Sequence, residues 1–285
     1  MGRIFYILLF SCLTFNVFAQ ENSSDTLRKV NIADTLKKDV LTAPDTVKHL
    51  HSKSITLIPP AVLIAYGASS FALHPLRRFD RYIYKEAGEH NFATRSHIEN
   101  YLQYAPPVLV YGLNFAGIHG KNTFIDRTLV YVMAQGMLNI STFTLKKLTH
   151  RLRPDNSDYN SFPSGHTGNA FAGAEFMSQE LGDNSAAYSV IGYAFATTTG
   201  VFRIYHKDHW FSDVIAGAGF GILSTKAAYL LYPYIRNNLF KAGREKEKNR
   251  SLPKEFQKKK NQGSSSILLP SLNNGTLGLH FAMSL

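Results

Sequence analysis

The amino-acid sequence predicts an all-α fold, a six-helix bundle associated with a membrane, followed by a short C-terminal β-hairpin. Four stretches of 18 to 23 residues in the middle of the chain contain no Asp, Glu, Lys or Arg, and a membrane-spanning helix needs roughly 20 predominantly apolar residues. Two further apolar stretches contain one charge each, Glu175 and Lys226. Near the C-terminus apolar and polar side chains alternate, which is the period of a strand.

The six predicted helices fall between residues 54 and 235. They are Ser54–Leu76, Asn100–Gly120, Thr128–Leu145, Thr167–Gln179, Asn184–Phe202 and Val214–Ile235. Prolines and polar side chains interrupt several of them. Membrane spans and long buried helices of a soluble bundle are therefore both compatible with these stretches.

The predicted hairpin has its turn at Asn274-Gly275, a typical two-residue turn sequence. After it, Leu277, Leu279 and Phe281 alternate with polar or small residues. An isolated two-stranded hairpin is marginally stable in water, so this one must pack on another surface or remain flexible.

The chain divides into a signal peptide (1–19), a polar linker (20–53), a catalytic helical domain (54–235) and a basic tail with the hairpin (236–285). Residues 1–19 are typical of an export signal, because Arg3 precedes an apolar stretch and Val17-Phe18-Ala19 fits cleavage before Gln20. The one cysteine lies within this signal. The exported protein would therefore contain neither a disulfide framework nor a cysteine zinc site.

The chain is basic, with 31 Lys and Arg against 20 Asp and Glu and a net charge of +11. Its hydrophobic share of 45% excludes a disordered chain. Ten basic residues and three Glu lie between Arg236 and Lys260, so +7 of the +11 belongs to the tail. A basic tail without a groove-reading motif indicates a solvated or lipid-facing segment and no nucleic-acid binding.

Three clusters carry the predicted chemistry, and the first is Lys146 followed seven residues later by Arg153. Seven residues make two helical turns, so the two cations would share one face, and Pro154 would end the helix at Arg153. Two cations at one point suit a dianionic phosphate, which a guanidinium binds through two parallel hydrogen bonds. The alternative is a basic helix end that stabilises its own dipole.

The second cluster is Ser161-Phe162-Pro163-Ser164-Gly165-His166, directly before a predicted helix. Ser164 would cap that helix, and Gly165 would let backbone N–H groups approach a ligand closely. A helix N-terminus binds anions, and His166 beside it would donate a proton to a departing oxygen. The alternative is an ordinary capped turn with a surface histidine.

The third cluster is Arg203, His209 and Asp213. Residues four apart are neighbours on one helix face, so the Asp213 carboxylate would accept the Nδ1 proton of His209 and leave Nε2 free to attack. The alternatives are a structural His–Asp pair and a metal site. His206 and His209 bring no second carboxylate, and we predict no metal. Together, the three clusters predict phosphoryl transfer without a metal or another cofactor.

In this order the clusters resemble the three-part signature of the type 2 phosphatidic acid phosphatase (PAP2) superfamily, which also includes bacterial acid phosphatases and vanadium haloperoxidases. The parts are Lys146-x6-Arg153-Pro154, Pro163-Ser164-Gly165-His166 and Arg203-x5-His209-x3-Asp213. The resemblance implies that superfamily's six-helix bundle over residues 54–235. The chain departs from the family at Phe202, since a serine commonly precedes the arginine of the third part.

The resemblance also implies a role for each site residue. His209 would attack phosphorus and form a phosphohistidine while Asp213 orients it. His166 would protonate the leaving oxygen and then activate water. The oxygens of the phosphate would be held by Lys146, Arg153, Arg203, Ser164 and the N–H of Gly165.

The predicted function is a metal-independent phosphatase that hydrolyses a phosphomonoester or pyrophosphate, preferably of a lipid. We expect no cofactor, and we expect a phosphorylated lipid or small phosphoester and a membrane as partners. The sequence makes no prediction of the oligomeric state. The alternatives are a soluble periplasmic acid phosphatase of broad specificity, a haloperoxidase in which His209 would bind vanadate, and a structural bundle without catalysis.

The predicted location is the bacterial cell envelope, with the site facing the periplasm. In an arrangement of six spans the two tails share the side opposite the site, and their Lys and Arg residues place that side in the cytoplasm. A cleaved signal would instead deliver Gln20 to the far side of the membrane. Either the signal is retained and one segment fails to span, or the helices form a periplasmic bundle, soluble or resting on the membrane.

Overall fold

The computed structural model describes residues 54–89 and 97–239, and the backbone of residues 266–273 and 276–283. The predicted signal peptide, the linker and most of the basic tail lie outside these residues. A 3-10 turn (Ser54–Leu57) leads into eight α-helices in the described part of the chain. They are α1 (Ile58–Ser69), α2 (His74–Glu89), α3 (Glu99–Leu102), α4 (Ala105–Phe115), α5 (Phe124–Thr149), α6 (Gly165–Leu181), α7 (Ala186–Tyr205) and α8 (Phe211–Leu239).

The described chain is helical up to Leu239, as predicted, but the predicted count of six helices is not confirmed. The additional helices are α2 and α3. Helix α2 does not appear as a charge-free stretch of the sequence, because it is an amphipathic helix with charged residues along its exposed side. Helix α3 has only four residues and no sequence pattern of its own.

Two strands follow the tail, β1 (Ser266–Asn273) and β2 (Thr276–Met283), and they pair in antiparallel orientation. Ser266 lies opposite Met283, and Asn273 lies opposite Thr276. Residues 274 and 275, where the sequence predicts the turn, lie outside the described residues. The hairpin as a unit therefore stays a prediction.

Helix α6 is the centre of the bundle and packs against α4, α5, α7 and α8. Many of its side chains are small and buried, and Ala170, Ala174 and Phe176 have no exposed surface. Small residues let backbones approach closely: a Cβ atom at Gly221 of α8 would lie 2.3 Å from the Gly168 carbonyl oxygen of α6. This approach fixes α6 against α8, and both helices begin with residues of the predicted site.

The end of the bundle opposite the predicted site is held by buried ion pairs. Arg127 of α5 donates to Glu180 of α6 (Nε to Oε2, 3.1 Å), and Glu180 also accepts from the Tyr229 hydroxyl of α8 (2.6 Å). Nearer the middle, Lys226 Nζ lies 2.7 Å from Glu175 Oε1. Removing one partner of such a pair leaves an uncompensated buried charge. These contacts therefore tie α5, α6 and α8 to one arrangement.

Much of the outer surface is apolar. On α5 alone, Val132, Ile140, Phe143 and Leu148 are 60–74% exposed. The segment Phe211–Asn238 of α8 is long and apolar enough to cross a membrane. A second candidate is the pair formed by Ile55–Ser69, which includes α1, and α2. The two parts are bent by 91° against each other and would have to count as one span. A core helix of a soluble protein meets the same length and composition criterion.

Substituting Gly67 by valine tests the contact between α1 and α8. A Cβ atom there would lie 2.5 Å from Ala216 Cβ and 2.7 Å from the Ser212 carbonyl oxygen. We expect Gly67→Val to lower the free energy of unfolding by about 1–3 kcal/mol, the usual cost of overpacking. Thermal melts of the purified protein in detergent measure this loss. The control is Gly136→Val on the exposed side of α5, where a Cβ would meet no other atom within 4 Å; equal losses in both variants would contradict the contact.

Candidate active site

The three predicted clusters lie at one end of the bundle. Helices α5 and α7 end there and α6 and α8 begin there, so the loops 150–164 and 206–210 bring the clusters together. Lys146 is in the last turn of α5, His166 is in the first turn of α6, and Arg203 is in the last turn of α7. Segments that are distant in sequence thus converge on one region.

His209 lies in the loop before α8 and is almost fully buried, with 3% of its surface exposed. Its Nδ1 atom is 2.7 Å from the carbonyl oxygen of Ser161. Because a carbonyl oxygen can only accept, Nδ1 carries the proton and donates it, and Nε2 keeps a free lone pair. His209 therefore has the tautomer that a nucleophilic imidazole requires.

Asp213 does not accept that proton, and the prediction from the four-residue spacing is wrong on this point. Its Oδ2 atom is 3.9 Å from His209 Nδ1, which is too far for a hydrogen bond. The spacing rule applies within a helix, but α8 begins at Phe211 and His209 precedes it. Asp213 Oδ2 instead accepts from the Ser161 hydroxyl (2.5 Å) and the Trp210 N–H (3.0 Å), so it fixes both segments that contact His209.

Lys146 and Arg153 do not share a helix face, because α5 ends before Arg153, where Pro154 was expected to end it. The helix stops at Thr149, and His150 has a left-handed backbone conformation (φ 44°, ψ 43°), which histidine adopts more readily than most residues. Arg153 therefore lies in the following loop, where its N–H donates to the Asp158 carbonyl oxygen (3.0 Å).

Each predicted phosphate-binding cation has an oxygen partner that holds it in place. The partners are the Asn160 carbonyl for Lys146, Asp158 Oδ1 at 2.8 Å for Arg153, and Asp208 Oδ2 at 3.0 Å for Arg203. A long basic side chain loses conformational freedom when it binds a ligand. Partners that already fix these side chains reduce that cost at the moment of binding.

The cations act on His209 and on one another. Burial lowers the pKa of His209 well below its usual value, and Lys146, Arg203 and Arg153 lower it further. Burial also lowers the pKa of Lys146 to about 8, and Arg153 is the second cause. Effects of this kind require that the charged groups lie close together. A bound dianion would relieve the repulsion among them.

His166 is half-buried beside the same cations. Burial, followed by the charge of Arg203, lowers its pKa to about 4, while Glu99 acts in the opposite direction. His166 is therefore neutral at pH 7 when no anion is bound. A bound phosphate dianion would raise its pKa, because an opposite charge favours the protonated form.

Ser164 and Gly165 lie at the start of α6, as predicted. Ser164 is at the N-cap position, but its hydroxyl bonds to the Thr167 hydroxyl (2.9 Å) and caps no backbone N–H. Gly165 is the first helical residue, and a Cβ there would meet no atom within 4 Å. The first N–H groups of a helix have no partner within it, so this open N-terminus suits an anion.

A cavity of about 530 Å³ adjoins this helix start. It is lined by two predicted site residues, Lys146 and Gly165, and by four residues of α5, namely Asn139, Ile140, Thr142 and Phe143. Lys146 and Gly165 therefore border a space that has Ile140 and Phe143 in its wall.

His97, Glu99 and His206 are the one group of three potential metal ligands within residues 54–89 and 97–239. The Nδ1 atoms of His97 and His206 lie 3.2 and 2.9 Å from Glu99 Oε1. Arg203 Nη1 is 3.4 Å from the same oxygen, so a metal ion would face an adjacent guanidinium. We interpret Glu99 as a counter-ion of Arg203. Phe202, where the chain departs from the family signature, packs its ring 5.9 Å from that of His206.

Four residues that position the site were not predicted: Asp80, Glu99, Arg151 and Ser212. Arg151 stands two residues before Arg153, and this repeated arginine is the sequence signal that distinguishes it. Asp80 is the buried residue of the amphipathic helix α2. Glu99 and Ser212 carry no sequence signal that distinguishes them from surface residues.

Residues 127–237 match the PAP2 superfamily, and all eight predicted site residues lie within them. This segment is a PAP2 superfamily domain. Asp80 and Glu99, which contact the site of the PAP2 domain, lie before its first residue.

A curated relative is the lipid A 1-phosphatase of Porphyromonas gingivalis, which is 37% identical over 147 residues. The match covers 50% of this chain and 32% of the relative, so the chain spans about a third of the relative's length. Among solved structures, a transmembrane PAP2 type phosphatidylglycerolphosphate phosphatase from Bacillus subtilis is similar, with 22% identity, coverage of 61% of this chain and 92% of that chain, and a TM-score of 0.46. Aquifex aeolicus LpxE is similar with 20% identity, coverage of 64% and 98%, and a TM-score of 0.36.

Binding of inorganic phosphate should weaken as the pH rises through about 8, the pKa of Lys146 in the unliganded site. The amine is charged below this pKa and neutral above it, so its attraction for the anion is lost on the alkaline side. One unit above the pKa roughly a tenth of the amines remain charged, and we expect the Kd to rise several-fold between pH 7.5 and 9 in isothermal titrations. The control is Lys146→Arg, whose guanidinium stays charged over this pH range. Comparing the two proteins removes the contribution that the titration of phosphate itself makes to the pH dependence. An identical pH dependence in both proteins would argue against the role of Lys146.

Proposed function

We propose that this protein is a metal-independent phosphatase that cleaves a lipid phosphomonoester or pyrophosphate through a phosphohistidine intermediate. One observation carries the proposal: the buried His209 donates its Nδ1 proton to the Ser161 carbonyl, keeps Nε2 free, and is surrounded by cations from three separate segments. Phosphoryl transfer needs an aligned nucleophile and positive charge around the equatorial oxygens.

In the first half-reaction His209 Nε2 forms a bond to phosphorus while the bond from phosphorus to the leaving oxygen breaks. His166 gives its proton to that oxygen, so the leaving group does not depart as a free alkoxide. The positive charge that develops on the His209 ring is stabilised by the Ser161 carbonyl at Nδ1. The charge on the equatorial oxygens is balanced by Lys146, Arg153, Arg203 and the N-terminus of α6.

In the second half-reaction water attacks phosphorus and the bond to His209 Nε2 breaks. His166, now neutral, accepts a proton from the water and is ready to act as an acid again. His209 regains its lone pair, and inorganic phosphate leaves. The balance of atoms needs only substrate and water.

The protonation state of His166 follows from substrate binding. Its pKa of about 4 in the empty site makes it neutral before substrate arrives. The dianionic phosphate supplies the negative charge that raises this pKa, so His166 takes up its proton together with the substrate. The acid is thereby charged only when there is a leaving group to protonate.

A lipid substrate is supported by the surroundings of the phosphate-binding groups. The cavity beside Lys146 and Gly165 has Ile140 and Phe143 in its wall, and both side chains are at least 65% exposed on the outer face of α5. An acyl or isoprenyl chain would cover this apolar surface while its phosphate lies against the cations. The name of the curated relative, lipid A 1-phosphatase, points to the same substrate class.

We further propose that the protein acts in the bacterial cell envelope with its site facing the periplasm. A cleaved export signal at residues 1–19 would deliver the helical domain to the periplasm. If the signal is retained, the basic residues of both tails place the tails in the cytoplasm and the site on the opposite side. The length and apolar character of α8 are compatible with a membrane location in either case. A lipid phosphate at the outer surface of a membrane would reach a site built at the ends of the helices.

The deciding experiment is a phosphate-release panel on purified protein with lipid phosphates in micelles and a water-soluble phosphate ester. We expect turnover in the presence of EDTA, and a faster turnover of the lipids than of the soluble ester. The turnover rate of His209→Ala, which lacks the nucleophile, should be at least about a thousandfold lower than that of the wild type. His74→Ala, at an exposed position of α2, is the control and should retain wild-type rates. Equal or better use of the soluble ester would favour the acid-phosphatase alternative. Complete loss in EDTA, restored by a divalent ion, would contradict metal independence.

His166→Ala should slow the first half-reaction according to the leaving group. Proton donation matters most for a poor leaving group such as an alkyl alcohol and least for p-nitrophenol. We expect a loss of about 10²–10⁴-fold for the alkyl ester, the usual contribution of general acid catalysis, and a clearly smaller loss in the burst of p-nitrophenol. Equal losses for both esters would assign the proton donation to another group.

A further inference from the structure

We infer that Asp80 and Arg151 are positioning residues of the proposed reaction, which hold Asp213 and the loop of His209 in place at the start of α8. The inference rests on the proposed function for its kinetic test. Arg151 occupies an unspecified position within the first motif, and Asp80 lies outside the PAP2 domain.

The guanidinium of Arg151 bridges two buried carboxylates. Its Nη1 donates to Asp213 Oδ1 (2.6 Å) and its Nη2 donates to Asp80 Oδ2 (2.7 Å). Asp213 is 0% exposed and Asp80 is 2% exposed. Two buried negative charges repel strongly unless a cation lies between them. Arg151 therefore offsets the repulsion between the two carboxylate groups.

Asp80 joins α2 to the first turn of α8. Its Oδ1 accepts from the Ser212 N–H (2.9 Å), and its Oδ2 accepts from the Ser212 hydroxyl (2.6 Å). A carboxylate at a helix N-terminus satisfies N–H groups that the helix itself leaves free. Because Ser212 directly precedes Asp213, Asp80 fixes the backbone from which the Asp213 side chain extends.

Arg151 also supports the other side of the nucleophile. Its carbonyl oxygen accepts from the Ser161 N–H (3.0 Å), and Ser161 in turn provides the carbonyl that accepts the Nδ1 proton of His209. The side chain of Arg151 lies over the indole of Trp210, the residue next to His209, with 5.9 Å between its Cζ atom and the ring centroid. Arg151 thus supports both segments that contact the imidazole.

The residues that align His209 are different from the residues that bind the phosphate in the proposed reaction. Lys146, Arg153 and Arg203 have oxygen partners of their own, so they remain in place when Arg151 is replaced. The direction of His209 Nε2 depends on Ser161 and Asp213. A misplacement of about 1 Å in a reacting group can cost 10²-fold in rate. Loss of Arg151 should therefore lower kcat and leave phosphate affinity nearly unchanged.

The kinetic test compares Arg151→Gln with Arg127→Gln. The Arg127–Glu180 pair is at least as deeply buried, with side chains 1% and 0% exposed, but lies at the opposite end of the bundle. We expect Arg151→Gln to lower kcat by about 100-fold, with KM and the Kd of inorganic phosphate within about threefold of wild type. Arg127→Gln should lower the melting temperature without lowering kcat. An equal loss of kcat in both variants, or a rise of KM alone in Arg151→Gln, would overturn the inference.

Two further variants test whether Asp80 and Arg151 act through the same contact. Arg151→Lys keeps the charge but not the two-pronged geometry, so its kcat should lie between those of Arg151→Gln and wild type. Asp80→Asn should lower kcat by about tenfold. The double variant Asp80→Asn/Arg151→Gln should be no less active than Arg151→Gln, because both changes act on Asp213 and neighbouring sites are not additive. If the losses of kcat in the two single variants multiply in the double variant, the two residues act independently, and the inference that they act through the same contact is overturned.

A spectroscopic readout decides the inference independently of turnover. In protein labelled with ¹⁵N-histidine, the Nδ1–H signal of His209 is identified by its absence in His209→Ala. We expect this signal to shift or disappear in Arg151→Gln and Asp80→Asn, because the bond to Ser161 is loosened, and to stay unchanged in Arg127→Gln. An unchanged signal in the first two variants would overturn the inference. A wild-type protein that hydrolyses no substrate would refute the proposed function, and this spectrum would still decide the role of Arg151.

Discussion

The hydrogen bond between His209 Nδ1 and the Ser161 carbonyl is the contact on which the site depends. It joins the loop before α6 to the loop before α8, so the start of each helix is placed relative to the other. The same bond selects the tautomer of His209 and leaves its second nitrogen unprotonated. Asp213 reinforces it from behind by accepting from the Ser161 hydroxyl and the Trp210 N–H. The position and the tautomer of His209 therefore depend on one donor and one acceptor.

The concentration of positive charge around His209 needs compensation, and acidic residues at its edge provide it. Asp158 pairs with Arg153, Asp208 with Arg203, and Glu99 lies beyond Arg203. These carboxylates offset the repulsion among cations that would otherwise destabilise the folded protein. Burial and the remaining positive charge still hold the pKa of His209 far below its usual value. The imidazole is accordingly neutral at pH 7.

The sequence predicts which residues lie together at the proposed site, but not how they are connected. Lys146, His166 and His209 could be found because reactive residue types at definite intervals are visible in one dimension. The acceptor of the His209 proton could not, because a backbone carbonyl looks the same at every position. The helix rule failed for Asp213 and for Arg153 for one reason: in both cases the helix boundary lies between the two residues. Helix α2 does not stand out as an apolar stretch, because charged residues occur along it and its buried residue is Asp80.

The origin of the acidic partners has a practical consequence for moving this site between proteins. Asp80 and Glu99 come from α2 and α3, which precede the PAP2 domain of residues 127–237. A chimera that received only residues 127–237 would contain all eight predicted site residues, but Arg151 and Arg203 would lack the carboxylates of Asp80 and Glu99. The smallest unit that could be transplanted with these contacts is therefore longer than the signature, and it begins at Asp80, 66 residues before Lys146.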